Sequence, residues 1–305
     1  MGVVVVGLGN QGKKRQRIAG SDVIATIDPM NEDAQYRRIE DVPLGSYGKA
    51  LVCTPDGDKN AVLRYLLENG KHVLVEKPLI ATDESHLVEL QRLASNSGLA
   101  CYTAYNHRFE PHLMRMRDLI QDGKLGQIYF ARLFYGNGTA RDVRNSPWRD
   151  ERLGVLGDLG SHLLDLAAFF WGQQDPDLKV WSSNRFENQA PDHVVFGGGR
   201  SPVLEMEVTL LSWRNQFRVD LYGELGTAHI DGLCKWGPSH FCTRTRVLPS
   251  GKPDEKTVTI ESADPTWEAE YRHFLQLCED GHNSLDGDIC VNRTLHELSR
   301  GIGEP

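Results

Sequence analysis

A few short groups of residues combine side-chain types and spacings that could do chemistry. The first is Gly7-Leu8-Gly9-Asn10-Gln11-Gly12, a G-x-G-x-x-G turn directly behind the apolar run Val3 to Val6. Each glycine has a separate physical use. Gly7 permits a tight turn, Gly9 lets the backbone approach a pyrophosphate, and Gly12 allows a following helix to pack close to the strand. Such a helix offers unpaired N–H groups and a favourable dipole to phosphate oxygens. Asp28 closes the next apolar run, Val23 to Ile27, where a carboxylate accepts hydrogen bonds from ribose hydroxyls. A 2′-phosphate would be repelled there, which favours NAD and leaves NADP as the alternative cofactor. A lone glycine motif is weak, but the strand before it, the helix after it and the terminal acid agree on a dinucleotide site. The basic residues Lys13, Lys14, Arg15 and Arg17 follow the turn. Lys13, Lys14 and Arg15 read first as a solvated helix face, and second as extra attraction for phosphate.

Glu76-Lys77-Pro78 is the second group, at the end of the apolar run His72 to Val75. In open parallel sheets ligands bind beside the carboxyl ends of strands. Pro78 keeps Lys77 out of helical geometry. An ammonium so held could hydrogen-bond a substrate oxygen and stabilise alkoxide character as a hydride leaves; the alternative is an exposed lysine at a strand end. The third group is Gly157-Asp158-Leu159-Gly160-Ser161-His162. If a helix begins near Asp158, the carboxylate and imidazole share one face. They could then bind adjacent substrate hydroxyls, with His162 exchanging the proton. The plainer alternatives are a helix N-cap for Asp158 and a partly buried core histidine for His162. No metal is expected, because only Asp165 lies near enough to act as a third ligand. Upstream, Arg141, Arg144, Arg149 and Arg152 form a polar stretch; it reads equally as a solvated loop and as a contact, through Arg149 above all, for an anionic part of the substrate.

Elements that would position these groups follow from periodicity. Val3 to Val6, Val23 to Ile27, Ala50 to Thr54, His72 to Val75 and Leu99 to Thr103 read as strands. Helical patterns over Asn60 to Asn69, and over Leu87 to Ala94 with Thr82 as N-cap, lie between them. Strands that are apolar on both faces and alternate with helices predict a parallel sheet covered on both sides. The pattern then changes. Leu113 to Ile120 and Leu163 to Trp171 read as helices and Gln127 to Tyr135 as a strand. Strand-like runs follow at Lys179 to Ser182, His193 to Phe196, Val203 to Trp213, Phe217 to Tyr222, Ala228 to Ile230 and Thr257 to Ile260, with helices at Glu268 to Cys278 and Ile289 to Leu298. The expected class is α/β: an N-terminal Rossmann domain over residues 1–105, and a C-terminal α/β domain over 106–305 with one large, mainly antiparallel open sheet.

Bulk properties narrow the function. The chain has 305 residues and a formal charge of −8, with 40% apolar and 25% charged residues, ordinary values for a globular protein. A nucleic-acid binder would carry a basic surplus. The apolar runs are too short to span a bilayer, and no signal peptide is visible. Cys53, Cys101, Cys234, Cys242, Cys278 and Cys290 are scattered, with no C-x-x-C pair. Reduced thiols and a cytoplasmic location are the expectation.

In order along the chain, these segments resemble the Gfo/Idh/MocA oxidoreductases, the family of glucose–fructose oxidoreductase and inositol dehydrogenase. The residues that carry the resemblance are the glycine turn, Val52-Cys53-Thr54-Pro55, Gly70 to Leu79 with its Glu-Lys-Pro, Tyr105-Asn106-His107-Arg108-Phe109-Glu110-Pro111, the Asp158/His162 pair and Tyr222 to Thr227. The resemblance implies substrates among sugars, nucleotide sugars and cyclitols, and a homodimer or homotetramer formed through the C-terminal sheet. It makes Lys77 and His162 the catalytic pair, with Asp158 holding substrate or orienting His162. Thr54, Pro55, Glu76, Lys77 and Asn106 would join Gly7, Gly9, Asn10, Gln11, Gly12 and Asp28 around the cofactor, and Tyr105 and Arg108 would face substrate. Two departures stand out: Lys59 occupies the place of the family's histidine after the Thr-Pro turn, and the segment between the second and third strands is short. The function expected is reversible hydride transfer between nicotinamide and a secondary alcohol. The rivals are a non-catalytic dinucleotide sensor of the same fold and a reductase acting on an imine or pyrrole-like compound.

Overall fold

The computed structural model describes residues 2–173 and 177–303. The described chain divides into two compact units, residues 1–106 with 266–292, and residues 107–265 with 293–305.

In the first unit, β1 (Gly2–Val6), β2 (Val23–Ile27), β3 (Tyr47–Val52), β4 (His72–Glu76) and β5 (Cys101–Ala104) form one sheet in the order β2-β1-β3-β4-β5. Every pairing is parallel. Val3 to Val6, Ala50 to Val52 and Val73 to Val75 are all buried, as strands covered on both faces require. The helices are α1 (Asn10–Ala19), α2 (Asp56–Glu68), α3 (Glu84–Asn96) and α7 (Thr266–Asp280), joined by the first half of α8 (Leu285–Ser299). The N-cap of α3 is Asp83 rather than Thr82: its Oδ1 accepts the Ser85 amide at 2.9 Å. No α-helix connects β2 to β3. Two single turns, Ile39–Asp41 and Leu44–Ser46, carry that crossover, and Tyr36 pairs with Ile27 as an isolated bridge. The sequence reading placed all of 106–305 in the second half. α7 instead packs with α1, because its Glu270 meets Arg15 on α1 and Tyr102 on β5, both in the first unit.

The second unit is built on β6 (Ile128–Gly136), β7 (Leu178–Asn184), β8 (His193–Gly198), β9 (Val203–Thr209), β10 (Gln216–Gly223), β11 (Gly226–Asp231), β12 (Ser239–Thr245) and β13 (Glu255–Ile260). They form one sheet in the order β13-β12-β11-β10-β6-β9-β8-β7, antiparallel except where β6 meets β9. Helices α4 (Pro111–Gln121) and α6 (Ser161–Trp171) pack on this sheet, and α5 (Ala140–Arg144) is a short helix in the polar stretch. The sequence SHFCTRT of β12 escaped the sequence reading, since most of its side chains are polar and only Phe241 supplies a large buried apolar group. Leu156–Gly160 is a π-helical turn that runs straight into α6, so Asp158 sits inside a helix and does not cap one.

Candidate functional site

In the first unit the glycine turn is built as the spacing predicts. Gly7 has φ +90°, and a Cβ there would lie 2.7 Å from the Cys53 carbonyl oxygen. At Gly12 a Cβ would lie 1.9 Å from the Gly7 carbonyl oxygen. Both positions are closed to any side chain. Gly9 is different: it is exposed, and a Cβ there would meet nothing within 4 Å. The N-terminus of α1, with Asn10 and Gln11 exposed, therefore opens on free space where a phosphate can approach. The hydroxyl of Thr54 is buried without a hydrogen-bond partner in the protein, and Pro55 beside it is exposed. An open glycine cradle and an unsatisfied hydroxyl fit a bound dinucleotide.

Asp28 has a second task that the sequence did not reveal. Its Oδ2 accepts the Leu8 amide at 2.7 Å, and its Oδ1 accepts the Met30 and Asn31 amides at 2.8 and 2.9 Å. Burial alone would raise its pKa, but the amides of Leu8, Asn31 and Met30 hold it below the usual carboxylate range. The charge beside the glycine turn is thus fixed in place by backbone.

Of the basic run after the turn, Lys13 is solvent-exposed near Asp33, while Lys14 lies 3.6 Å from the ring centre of Trp267. Arg15 corrects both sequence readings, for it is 1% exposed. Its Nε donates to Glu76 at 2.6 Å and its Nη2 to Glu270 at 2.7 Å. The signal was present: Gly12, Arg15 and Ala19 share the buried face of α1. Burial works against the charge on Arg15, but Glu270 and Glu76 outweigh it and raise the pKa. Burial likewise pushes the Glu270 carboxyl up to about 7, against the opposing pull of Arg15. Glu76, expected near the cofactor, is thus held from behind by Arg15. Asn106 donates to the Thr266 hydroxyl at 2.7 Å, and Tyr105 is buried. Lys77 is half-buried at the carboxyl end of β4.

The second unit gathers the other candidates around a buried aromatic group. His162, 6% exposed, stacks on His107 with ring centres 4.3 Å apart, and Tyr135 meets it edge-on at 5.7 Å. Phe217 packs against both His107 and Tyr135, and Trp236 against Tyr135. Burial, and then the nearby charge of Asp158, push the Tyr135 phenol pKa upward. Asp158 is half-exposed, with its Oδ2 3.4 Å from Arg149 Nη2. The structure therefore brings Asp158, Arg149, Tyr135 and His162 into one neighbourhood. The sequence reading placed His107 in a family motif without giving it a role, and took Tyr135 as ordinary strand content; the structure sets both beside His162.

The other arginines separate. Arg108 grips Asp165 with both arms of its guanidinium, at 2.9 and 2.6 Å, which commits Asp165 to an ion pair. Among the described residues no group of three or more His, Cys, Asp or Glu could hold a metal ion. Arg144 binds the Glu187 carbonyl, Arg141 is exposed, and Arg152 is exposed with φ +53°. Glu110 is an internal acceptor for the Cys234 amide at 3.0 Å. No described helix is long and apolar enough to cross a membrane.

Because nothing in the protein lies near a Gly9 side chain, Gly9→Val should fold normally and yet weaken NADH binding by about tenfold or more, the valine methyls filling the pyrophosphate approach. Fluorescence titration with NADH alongside a thermal melt checks this. Unchanged affinity would refute the placement.

Comparison with known proteins agrees with this construction. Residues 1–105 match the family model described as "Oxidoreductase family, NAD-binding Rossmann fold", and residues 113–229 match the "GFO/IDH/MocA C-terminal domain". The chain is 30% identical over 254 residues to scyllo-inositol 2-dehydrogenase (NADP(+)) IolW of Bacillus subtilis, covering 76% of this chain and 69% of that protein. Two further relatives are matched over 36% and 53% of their lengths. In fold it is similar to levoglucosan dehydrogenase in complex with NADH, with a TM-score of 0.84 at 17% identity over 99% of this chain and 96% of that one. UDP-N-acetylglucosamine 3-dehydrogenase GnnA from Acidithiobacillus ferrooxidans gives a TM-score of 0.81 at 17% identity, over 99% and 97% of the two chains. With the NAD-binding Rossmann fold of its first unit and the eight-stranded sheet of its second, the chain belongs to the Gfo/Idh/MocA family of oxidoreductases.

Proposed function

We propose that this protein catalyses reversible hydride transfer between NAD and a secondary alcohol of a sugar, nucleotide sugar or cyclitol. The observation that carries the reading is the placing of Asp158 and His162, a carboxylate and an imidazole, on one helix beside Tyr135 and Arg149. Such a pair suits vicinal hydroxyls. A nicotinamide dinucleotide held by the Gly7–Gly12 turn, Asp28 and Thr54 would supply the acceptor for the hydride leaving the carbinol carbon. His162 takes the hydroxyl proton as the carbonyl forms. Lys77 donates a hydrogen bond to a substrate oxygen and stabilises alkoxide character as the hydride leaves. Asp158 holds a neighbouring hydroxyl, and Arg149 restrains that carboxylate while offering its remaining N–H groups to an anionic substituent. The names of the relatives, which act on inositols, levoglucosan and a nucleotide sugar, support the same substrate class.

A screen of cyclitols, sugars and nucleotide sugars, read by nicotinamide absorbance, tests this reading. Turnover of at least one polyol is expected. A flat screen with tight NADH binding would overturn it in favour of a dinucleotide sensor.

Asp28 supports NAD as the preferred cofactor, although the first relative's name specifies NADP(+). Two like charges a few ångströms apart at a protein surface repel by about 1–4 kcal/mol. Asp28→Ala should therefore shift the ratio of NADH to NADPH dissociation constants towards NADPH by about tenfold. It should also lower Tm, since three backbone amides lose their acceptor. An unchanged ratio would mean that the acid does not read the ribose. We also propose assembly through the large sheet, supported by exposed Trp181, Val203 and Val258 on its strands.

A further inference from the structure

Helix α2 buries Leu63, Leu66 and Leu67, and on the same face it buries Lys59, which is 2% exposed. An ammonium taken out of water costs free energy unless it is paired and hydrogen-bonded, and an apolar residue on this face would carry no such cost. The Lys59 ammonium has two fixed partners. One is Asp56 Oδ1 at 2.7 Å, on the same turn of α2, and the other is the Pro78 carbonyl at 2.8 Å. The second bond reaches the residue that directly follows Lys77. Proline has no N–H, so a polar tie to it can be made only through its carbonyl. A charged donor makes that tie short and strong.

On the other side of Lys77 a matching arrangement holds. Glu76 is gripped by the buried Arg15, which is gripped in turn by Glu270. Lys77 is thus flanked by two residues, each fixed by a buried cation from a different helix, α1 and α2. Burial lowers the Lys59 pKa, while Asp56 opposes that shift and favours the charged form.

We propose that Lys59 is a positioning residue for Lys77: through the Pro78 carbonyl its ammonium sets where the Lys77 side chain leaves the end of β4. The proposal rests on the reading of Lys77 as the group that touches substrate oxygen. It explains why a cation stands in the first turn of α2, where its ammonium is hydrogen-bonded to one carboxylate and to the carbonyl of the residue after Lys77.

The test compares Lys59→Met, which keeps an unbranched stem and loses every donor, with Lys59→Gln, which keeps a donor for the Pro78 carbonyl. With the polyol found by the screen, Lys59→Met should lower kcat by about 10–100-fold, because a shift near 1 Å in a catalytic group costs about that much. KM and NADH affinity should stay within about twofold, a split that loss of folded protein alone would not produce. Lys59→Gln should recover most of the rate. Wild-type kcat in Lys59→Met, or equal loss in both variants, would overturn the proposal. If Lys59→Met does not fold, Asp56→Asn loosens the same anchor and should lower kcat with KM unchanged; wild-type kcat there would overturn it. If the wild-type enzyme turns over no polyol, the functional reading fails, and crystal structures still decide the role of Lys59. A displaced Lys77 Nζ in Lys59→Met would support it, and an unmoved one would overturn it.

Discussion

His162→Ala should lower kcat by about 10²–10⁴-fold, the usual contribution of a placed proton acceptor. Lys77→Ala should lose a similar factor, since a donor aimed at developing charge contributes about as much. NADH affinity should hold in His162→Ala, because the glycine turn belongs to the other structural unit. The imidazole is 6% exposed and stacked on His107, so alanine leaves a gap in the aromatic group. His162→Gln fills more of that space and offers no proton acceptor of imidazole basicity. A comparable loss in both variants separates chemistry from packing. Stopped-flow single turnovers with bound cofactor give the chemical step directly. Full activity in either variant would sink the mechanism, and loss confined to His162→Ala would reduce His162 to a packing residue.

Arg15→Leu should be the most damaging substitution for the fold. It leaves Glu270, which is 0% exposed, and Glu76 as adjacent acids with no cation between them. Breaking a buried ion pair from one side costs about 3–5 kcal/mol. For a chain of this size that corresponds to a fall in Tm of roughly 10 °C. The pH dependence identifies which carboxyl responds. Burial raises Glu270 to about 7, so the folded protein binds a proton that the unfolded chain releases at ordinary carboxylate pKa. Stability from this group is fully present below about pH 4.5 and is lost as pH rises through about 7, at up to about 1.4 kcal/mol per pH unit. Glu270→Gln removes this slope. Denaturant midpoints for wild type and variant between pH 5 and 8 should therefore converge at the acid end and diverge at the alkaline end. Parallel profiles would show that Glu270 does not titrate in this range.

The glycine turn was legible in the sequence because everything that defines it is local: a strand, a turn and a helix start within a dozen residues. Asp28 was legible as an acid at a strand end, but not as the acceptor for Leu8, Met30 and Asn31, since loop conformation decides that. Arg15 was misread as solvated because nothing nearby in sequence neutralises it; Glu270 arrives only with α7. Lys59 was noticed as a departure from the family, yet its contact with Pro78 depends on how α2 lies against the end of β4. In the second unit the Asp158/His162 spacing was visible, whereas the aromatic surroundings from β6 and β10 were not. Side chains from strands far apart in the chain become neighbours only when the sheet order is known. The polar β12 shows the same limit, since alternation signals a strand only when one face is apolar.

The first unit needs residues 266–292 as well as 1–106. During synthesis, the first hundred residues emerge with the glycine turn and the sheet strands in hand but without Trp267 for Lys14 or Glu270 for Arg15. Domains that are continuous in sequence can close while the ribosome is still working. Here the segment that completes the nucleotide-binding half is among the last to be translated, so that half lacks α7 until the intervening sheet has been made, and a fragment cut after the fifth strand would keep Glu76 beside Arg15 but lose Glu270, its second buried carboxylate.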